Sequence, residues 1–185
     1  EAYELIERGD EPFLGILLEY PHEKNVCRPA STRIQMRPPR VDSRPAISVI
    51  GAGNFARMVL LPAIRQQPGL RLATICSAGG ISAIHSGEKH GFQDATTDVA
   101  SVFADPNVDA VFSITQHNQH AGHVINSIQA GKSVFVEKPL CLTIEELNEI
   151  EAALEKAGDD APLIMVGFNR RFAPATEIVR RFFRD

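Results

Sequence analysis

The chain has 185 residues, of which 44% are hydrophobic and 23% charged, and its net charge is −4. This composition is that of a globular domain with one sizeable core, and it excludes collagen-like, disordered and large multidomain classes for this chain. No apolar run reaches the ~20 residues of a membrane span, and the acidic start is unlike a signal peptide. We therefore expect a cytoplasmic protein with no membrane partner.

Charge divides the chain into three parts. Residues 1–23 carry a net charge of −6, residues 24–45 carry +5 and residues 46–185 carry −3. The first part combines a short helical pattern with a strand-like run, which cannot bury an apolar face alone. The second part is rich in proline and arginine, which predicts a solvated linker. Because no aromatic residue in it could stack on bases, we expect no nucleic-acid partner.

Cysteine spacing argues against a metal site or a disulfide framework. The chain has three cysteines, an odd number, and they lie far apart in sequence: Cys27, Cys76 and Cys141. They form no CxxC pair and no Cys/His cluster. The pattern favours a reducing compartment and predicts no bound metal.

From Ala46 onward, apolar strands alternate with helices. The predicted strands cover 46–50, 70–76, a weak segment after Gly91, 109–115, 133–137 and 162–168. The predicted helices run from about 55 to 67, 81 to 90, 120 to 130 and 143 to 157, with a short one after Asp98. Apolar strands separated by helices predict an α/β fold with a doubly wound parallel sheet of about six strands.

Local signals mark the ends of these helices. Asp98 is a predicted N-cap, and Thr143 with Glu146 forms a capping box. Three glycines are predicted to terminate helices: Gly91, Gly131 and Gly158.

The first strand leads into a GxGxxA sequence formed by Gly51, Gly53 and Ala56. The first glycine permits a tight turn, the second lets the backbone approach a pyrophosphate, and the small third residue allows close helix-to-strand packing. The free N–H groups of the helix that starts near Asn54 would hold the diphosphate. This strand-turn-helix context predicts a dinucleotide site, with a purely structural turn as the alternative.

The second strand ends without the acid that often binds the adenosine ribose. Residues 76–80, CSAGG, occupy that place, and no basic residue follows until Lys89. Ser77 could bond a 2′-hydroxyl or a 2′-phosphate. The cofactor is therefore expected to be NAD or NADP, with the choice left open.

Four segments in this order, ISVIGAGNFA, SITQHNQH, GKSVFVEKPL and GFNRRF, resemble the cofactor domain of the Gfo/Idh/MocA oxidoreductases. The resemblance spans about residues 46–172 and implies an NAD(P)-binding Rossmann domain. The opening segment is similar to the tail of a medium-chain zinc-type alcohol dehydrogenase. Together they imply a dehydrogenase tail over 1–22, a linker over 23–45, the Rossmann domain over 46–172, and at 173–185 the start of a helix leading to a missing substrate domain.

The resemblance also implies a set of site residues. Gly51, Gly53, Asn54 and Phe55 would lie along the pyrophosphate, and Ser77 and Ala78 near the adenosine ribose. The remaining cofactor contacts implied are Thr115, Gln116, His117, His120, Glu137 and Asn169. Proline is commoner than glutamine at position 116 in the family, which leaves the contact made by Gln116 open.

Two histidines at the start of a helix have more than one possible role. His117 and His120 can share one face, yet two nitrogen ligands with no third ligand nearby do not make a metal site. For His120 the alternatives are a contact with cofactor or substrate and a helix-start imidazole satisfied by backbone groups.

Lys138 is the single catalytic candidate, and it lies in the Glu-Lys-Pro sequence that ends the fifth predicted strand. The resemblance implies that its ammonium group bonds a substrate hydroxyl and stabilises the charge that develops during hydride transfer. It also implies that the peptide bond before Pro139 is cis.

The function implied is that of an NAD(P)-dependent oxidoreductase that transfers hydride to or from a hydroxyl-bearing carbon of a sugar, polyol or sugar nucleotide. The fragment alone is expected to bind nicotinamide dinucleotide and to be inactive, because the family's acid/base motif belongs to a second domain. The alternative is a non-catalytic nucleotide-binding or assembly module. Exposed edges predict self-association into a homo-oligomer.

Overall fold

The computed structural model describes residues 32–39 and 42–183. The predicted dehydrogenase tail over 1–22 and the first part of the predicted linker lie outside the described residues. The compact unit that holds the sheet begins at residue 31.

A single seven-stranded sheet organises this unit, with the strand order β1-β4-β3-β2-β5-β6-β7. Neighbouring strands from β2 to β7 are all parallel, which confirms the predicted parallel sheet and all six predicted strands. The strands are β1 Arg33–Gln35, β2 Ala46–Ile50, β3 Arg71–Cys76, β4 Asp94–Thr96, β5 Ala110–Ser113, β6 Ser133–Glu137 and β7 Ile164–Gly167.

The seventh strand, β1, corrects the predicted linker over 23–45. It pairs antiparallel with β4 at the edge of the sheet, with Arg33 opposite Thr96. Nη2 of Arg33 lies 2.7 Å from a carboxylate oxygen of Asp94 and 2.7 Å from one of Asp105. These partners are distant in sequence, so the local composition of prolines and arginines could not reveal the strand.

The helices agree with the prediction in number and position; α1 to α5 pack with the sheet, and α6 follows the last strand. Helix α1 begins with a π-helical turn over Ala56–Leu60 and continues as α-helix over Leu61–Arg65, where Pro62 lacks the N–H that a regular turn would use. The others are α2 Gly80–His90, α3 Val99–Ala104, α4 His120–Gln129, α5 Ile144–Ala157 and α6 Pro174–Phe182.

Most of the predicted helix ends are confirmed. The Asp98 carboxylate accepts from the N–H of Ala100, and Thr143 and Glu146 form the capping box. The three terminating glycines all have positive φ angles: Gly91, Gly131 and Gly158.

Apolar side chains pack on both faces of the sheet. In β2, Ile47 and Val49 join the core on one face, while Ala46 and Ile50 join the core on the other. A strand buried on both faces explains why β2 is a continuous apolar run. No helix in the described part of the chain has the length and apolar character needed to cross a bilayer.

Candidate functional site

The carboxyl ends of β2, β3 and β5 surround a cleft of about 500 Å³. The sheet order reverses at β2, and open α/β sheets bind ligands beyond the strand ends at such a point. The lining includes six of the predicted site residues: Gly51, Gly53, Ser77, Ala78, Thr115 and Gln116.

Gly51 makes the tight turn that the sequence pattern predicts. Its φ is +112°, and a Cβ there would overlap the carbonyl group of Ile114. Its N–H donates to the carbonyl oxygen of Cys76 at 2.8 Å, which joins the ends of β2 and β3. Backbone conformation and close approach therefore both require glycine at this position.

Gly53 leaves the space that a bound diphosphate needs. No heavy atom lies within 4 Å of the point where a Cβ would be, and the residue is exposed at the cleft. The third small position, Ala56, is only 1% exposed and packs in the core. The loop thus fits the cofactor type for which its sequence is typical.

Asn54 and Phe55 continue the loop and are both exposed. The side-chain oxygen of Asn54 accepts from Nη2 of Arg57 at 2.8 Å. This contact holds a guanidinium group beside the loop, which favours an anionic ligand. Arg57 is not among the residues predicted from the sequence, although its position in the first turn after the glycines is a signal.

The adenosine end of the cleft lies beyond β3. Ser77 and Ala78 line it, and Thr97 joins them from the segment after β4. Burial raises the pKa of the Cys76 thiol to about 11, with a smaller effect of Asp98, so the thiol stays protonated at neutral pH. Four further lining residues were not predicted from the sequence, because they follow β4 or β5 and carry no motif of their own: Thr97, Val99, Ile114 and Gln119.

His120 lies outside the cleft lining and is fully buried. Its Nδ1–H donates to the carbonyl oxygen of Pro139 at 2.6 Å, and Nε2 lies 3.2 Å from the carbonyl oxygen of Thr115. This is the second of the two predicted roles, an imidazole satisfied by backbone groups. The cofactor contact of His120 stays a prediction. His117 is exposed at the start of the same segment.

The Glu-Lys-Pro segment follows β6, next to the end of β5. Ser113 and Val136 are register partners, so Lys138 and Thr115 follow neighbouring strand ends. Lys138 is exposed, its ammonium group has no partner among the described residues, and the Lys138–Pro139 peptide is cis, as the resemblance implied. Glu137 ends this neighbouring strand, Lys138 follows it, and neither is part of the cleft lining.

Asn169 is not part of the cleft lining. It begins a 3₁₀ turn over Asn169–Phe172, after β7 and therefore beyond β6. In the same turn, the Arg171 guanidinium lies 5.9 Å from the ring centroid of Phe168 and 5.5 Å from that of Phe172. The arrangement of this turn gives Arg171 a packing role.

Residues 46–168 match the Gfo/Idh/MocA oxidoreductase family, which is described as having an NAD-binding Rossmann fold. The chain belongs to this family.

Curated Gfo/Idh/MocA relatives agree with the match. A scyllo-inositol 2-dehydrogenase (NAD(+)) of Bacillus subtilis is 31% identical over 72% of this chain and 38% of the relative. An inositol 2-dehydrogenase of Rhizobium meliloti is 32% identical over 74% of this chain and 40% of the relative. The chain thus spans about two-fifths of the length of these relatives.

Solved structures show the same fold. A 3-ketoreductase from Actinomadura kijaniata, in complex with TDP-benzene and NADP, has a TM-score of 0.67 at 24% identity, over 76% of this chain and 43% of that one. A myo-inositol 2-dehydrogenase from Lactobacillus plantarum has a TM-score of 0.68 at 21% identity, over 76% of this chain and 41% of that one. These comparisons support the Rossmann assignment of the Gfo/Idh/MocA domain.

Proposed function

We propose that this chain is the cofactor-binding domain of an oxidoreductase that transfers hydride to or from a hydroxyl-bearing carbon of a sugar, polyol or sugar nucleotide. The observation that carries the proposal is the cleft at the reversal of strand order, where Gly51 forms the turn and Gly53 leaves open space. The names of the relatives, which include inositol dehydrogenases and a 3-ketoreductase, support the substrate class.

The residues of the cleft have distinct proposed roles in binding. The diphosphate lies over Gly53, beside Asn54 and Phe55, where backbone N–H groups and the Arg57 guanidinium favour negative charge. Ser77 and Ala78 contact the adenosine ribose. Thr115 and Gln116 lie under the nicotinamide end, with His117 and Glu137 next to them. Asn169 reaches the nicotinamide only if its turn moves toward the cleft.

Lys138 is the proposed catalytic residue. When bound, the nicotinamide accepts or supplies the hydride. The Lys138 ammonium hydrogen-bonds the oxygen of the substrate carbon and stabilises the negative charge that grows on that oxygen as its proton leaves. Its exposure and its lack of a partner among the described residues leave the ammonium group available for this contact. A base outside this chain takes the hydroxyl proton, so we propose that the chain by itself binds dinucleotide without turning over substrate.

Two further proposals concern the surroundings of this domain. Exposed apolar side chains on α6, such as Ile178 at 69% and Phe182 at 77% exposure, favour self-association, which sedimentation velocity would test.

The opening segment AYELIERGDEPFLGILLEYP favours a zinc-type alcohol dehydrogenase tail over 1–22, which the nucleotide sequence upstream of Glu1 would test.

Titration of the chain with NADH and NADPH, followed by nicotinamide fluorescence, tests the central proposal. Gly53→Leu fills the space over the loop and is expected to weaken binding by at least about tenfold. Gly69→Leu is the matched control, because Gly69 also has open space around it and lies in a turn that does not line the cleft. Equal affinities of the two variants, or no binding of either dinucleotide at about 1 mM, would contradict the proposal.

The alternative, a nucleotide-binding module without redox chemistry, makes a different prediction. It requires dinucleotide affinity that does not distinguish the reduced from the oxidised nicotinamide, and it predicts no hydride transfer with or without Lys138. The exposed position of this lysine at the strand end next to Thr115 favours the redox function.

A further inference from the structure

A second cleft, of about 270 Å³, lies at the amino end of β3, away from the dinucleotide cleft. Its walls come from the segment after β1, the end of α1, the end of α2 and the start of β3. Three of these segments bring arginines to the lining: Arg37 and Arg44 lie between β1 and β2, Arg65 ends α1 and Arg71 begins β3. We call this feature the basic cleft and define it by Arg37, Arg44, Arg65 and Arg71, with His90 and Gln93.

Positive charge in the basic cleft is largely uncompensated. Asp42 pairs with Arg44, with Nη2 and Oδ2 2.6 Å apart, and the hydrogen bonds from Arg44 lower the pKa of Asp42 to about 2. The remaining arginines, Arg37, Arg65 and Arg71, have no carboxylate partner within the described residues. Like charges gathered without partners repel one another, and a bound anion would relieve that repulsion.

The two outermost guanidinium groups retain donors for a ligand. Arg37 donates through Nη2 to the carbonyl oxygen of Glu88 at 2.9 Å, and Arg65 donates through Nη1 to that of Lys89 at 3.0 Å. These single contacts stabilise the carboxyl end of α2. A guanidinium group has five N–H donors, so most donors of both exposed side chains remain available.

Unpartnered polar atoms lie beneath the basic cleft. Among the described residues, Nε of Arg71, Nε2 of Gln93 and both ring nitrogens of His90 are buried without a hydrogen-bond partner. His90 is 4% exposed, and burial, followed by the charges of Lys89 and Arg65, lowers its pKa. The Arg71 and Gln93 atoms are both N–H donors, so this wall of the cleft has too few acceptors. An oxygen-rich anion supplies acceptors.

We propose that the basic cleft binds a phosphoryl group, carried by inorganic phosphate or by a phosphorylated metabolite. Guanidinium groups match phosphate oxygens in charge and in forked geometry. Four of them line this cleft, and Arg37 and Arg65 are the two that keep most of their donors free. The volume is close to the lower end of small-molecule sites, which begins at about 300 Å³. No Phe, Tyr or Trp lines the cleft for base stacking, which favours a small anion over a nucleic acid.

Isothermal titration calorimetry of the chain with inorganic phosphate, at constant ionic strength set with NaCl, tests this site. Arg37→Gln/Arg65→Gln is expected to lose at least about tenfold in phosphate affinity. Arg180→Gln/Arg181→Gln is the matched control, because it removes the same charge from α6 and is expected to bind within about twofold of wild type. Circular dichroism of both double variants verifies the fold, and Arg37→Lys/Arg65→Lys, which keeps the charge, is expected to bind with intermediate affinity.

Two further arms identify the source of the anion and its location. Glucose 6-phosphate that binds about tenfold more tightly than phosphate indicates a phosphorylated metabolite, and equal affinity indicates free phosphate; both support the proposal. Phosphate that is displaced by NADH occupies the GxGxxA loop and overturns it. An equal loss of phosphate affinity in Arg37→Gln/Arg65→Gln and in Arg180→Gln/Arg181→Gln also overturns the proposal. Binding of a DNA duplex without measurable phosphate binding overturns it as well.

Discussion

The Nδ1 atom of His120 lies 2.6 Å from the carbonyl oxygen of Pro139, a residue of the turn that carries Lys138. The other ring nitrogen lies 3.2 Å from the carbonyl oxygen of Thr115, at the end of the neighbouring strand. One buried imidazole therefore joins the two segments that border the proposed nicotinamide position. The imidazole does not itself line the cleft, so its effect on the site is one of position.

His120→Ala is expected to lower the free energy of unfolding by about 2–4 kcal/mol, because it leaves a cavity and removes the partner of a buried carbonyl group. His117→Ala, at an exposed position of the same segment, should change it by no more than about 0.5 kcal/mol. Urea denaturation followed by circular dichroism measures both. Similar values for the two variants would remove the joining role of His120.

Substitutions at three glycines separate backbone strain from steric overlap. Gly51→Ala is expected to destabilise the chain most, since it combines a φ of +112° with overlap of the Ile114 carbonyl group. Gly131 has a φ of +65° with no heavy atom near the point where a Cβ would be. Gly131→Ala should therefore lower the free energy of unfolding by only about 1 kcal/mol, the cost of the strained backbone. Gly53→Ala should leave stability nearly unchanged while weakening dinucleotide binding. Thermal unfolding ranks the three, and an order with Gly53→Ala lowest in stability would contradict this account of the loop.

The features that the sequence predicted well depend on neighbours in sequence. The N-cap at Asp98, the capping box at Thr143 and the turn at Gly51 each need only a few consecutive residues. The features that it missed depend on distant partners. Strand β1 is stabilised by contacts of Arg33 with Asp94 and Asp105, and no local pattern encodes those contacts.

The same distinction between local and distant partners explains which residues of the site could be predicted from the sequence. Residues of the glycine loop were predictable because the loop has its own motif, whereas Thr97 reaches the cleft only through the pairing of β4 with β3. The burial of His120 also depends on tertiary structure, since the partner carbonyl of Pro139 lies nineteen residues further along the chain. The basic cleft is a third example, because its four arginines come from three segments that are separate in sequence.

Stability is expected to fall as the pH decreases from about 6.5 to about 4. Burial, with a smaller effect of His120, lowers the pKa of His123 from 6.5 to about 4. The unfolded chain therefore takes up a proton at a pH where the folded chain does not, so the stabilisation is complete above 6.5 and is lost as the pH falls through this window. His90 acts in the same direction. Chemical denaturation at pH 7 and pH 5 measures the difference.

His123→Asn is expected to reduce this pH dependence, since the amide can replace Nδ1 as the partner of the Ser113 hydroxyl, 2.8 Å away, without titrating. His117→Asn is the matched control at an exposed position before α4 and should keep the wild-type profile. A profile of His123→Asn that coincides with wild type would assign the pH dependence to other groups.

The adenosine end of the cleft gives a prediction about cofactor preference. β3 ends without an acid and without a base, and Ala78 is exposed there. Ala78→Arg adds a guanidinium group that can bind a 2′-phosphate, so the ratio of NADPH to NADH affinity should rise by about tenfold. Ser77→Asp should move the ratio the other way. Fluorescence titration measures both, with Ala100→Arg, an exposed change on α3, as the control for added charge. An unchanged ratio in Ala78→Arg would place the ribose elsewhere.

Lys138 gives the prediction that bears most directly on catalysis. In a form of the protein that includes a substrate-binding region, Lys138→Ala should lower kcat/KM by about 100-fold or more, because the charge developing on the substrate oxygen loses its partner. Lys156→Ala, which removes an exposed lysine from α5, should have little effect. NADH affinity measured on the present chain should be the same in both variants, since the ammonium group is proposed to contact the substrate and not the dinucleotide. Turnover of Lys138→Ala at the wild-type rate, with dinucleotide binding intact, would leave the cofactor site in place and remove the catalytic role of the lysine.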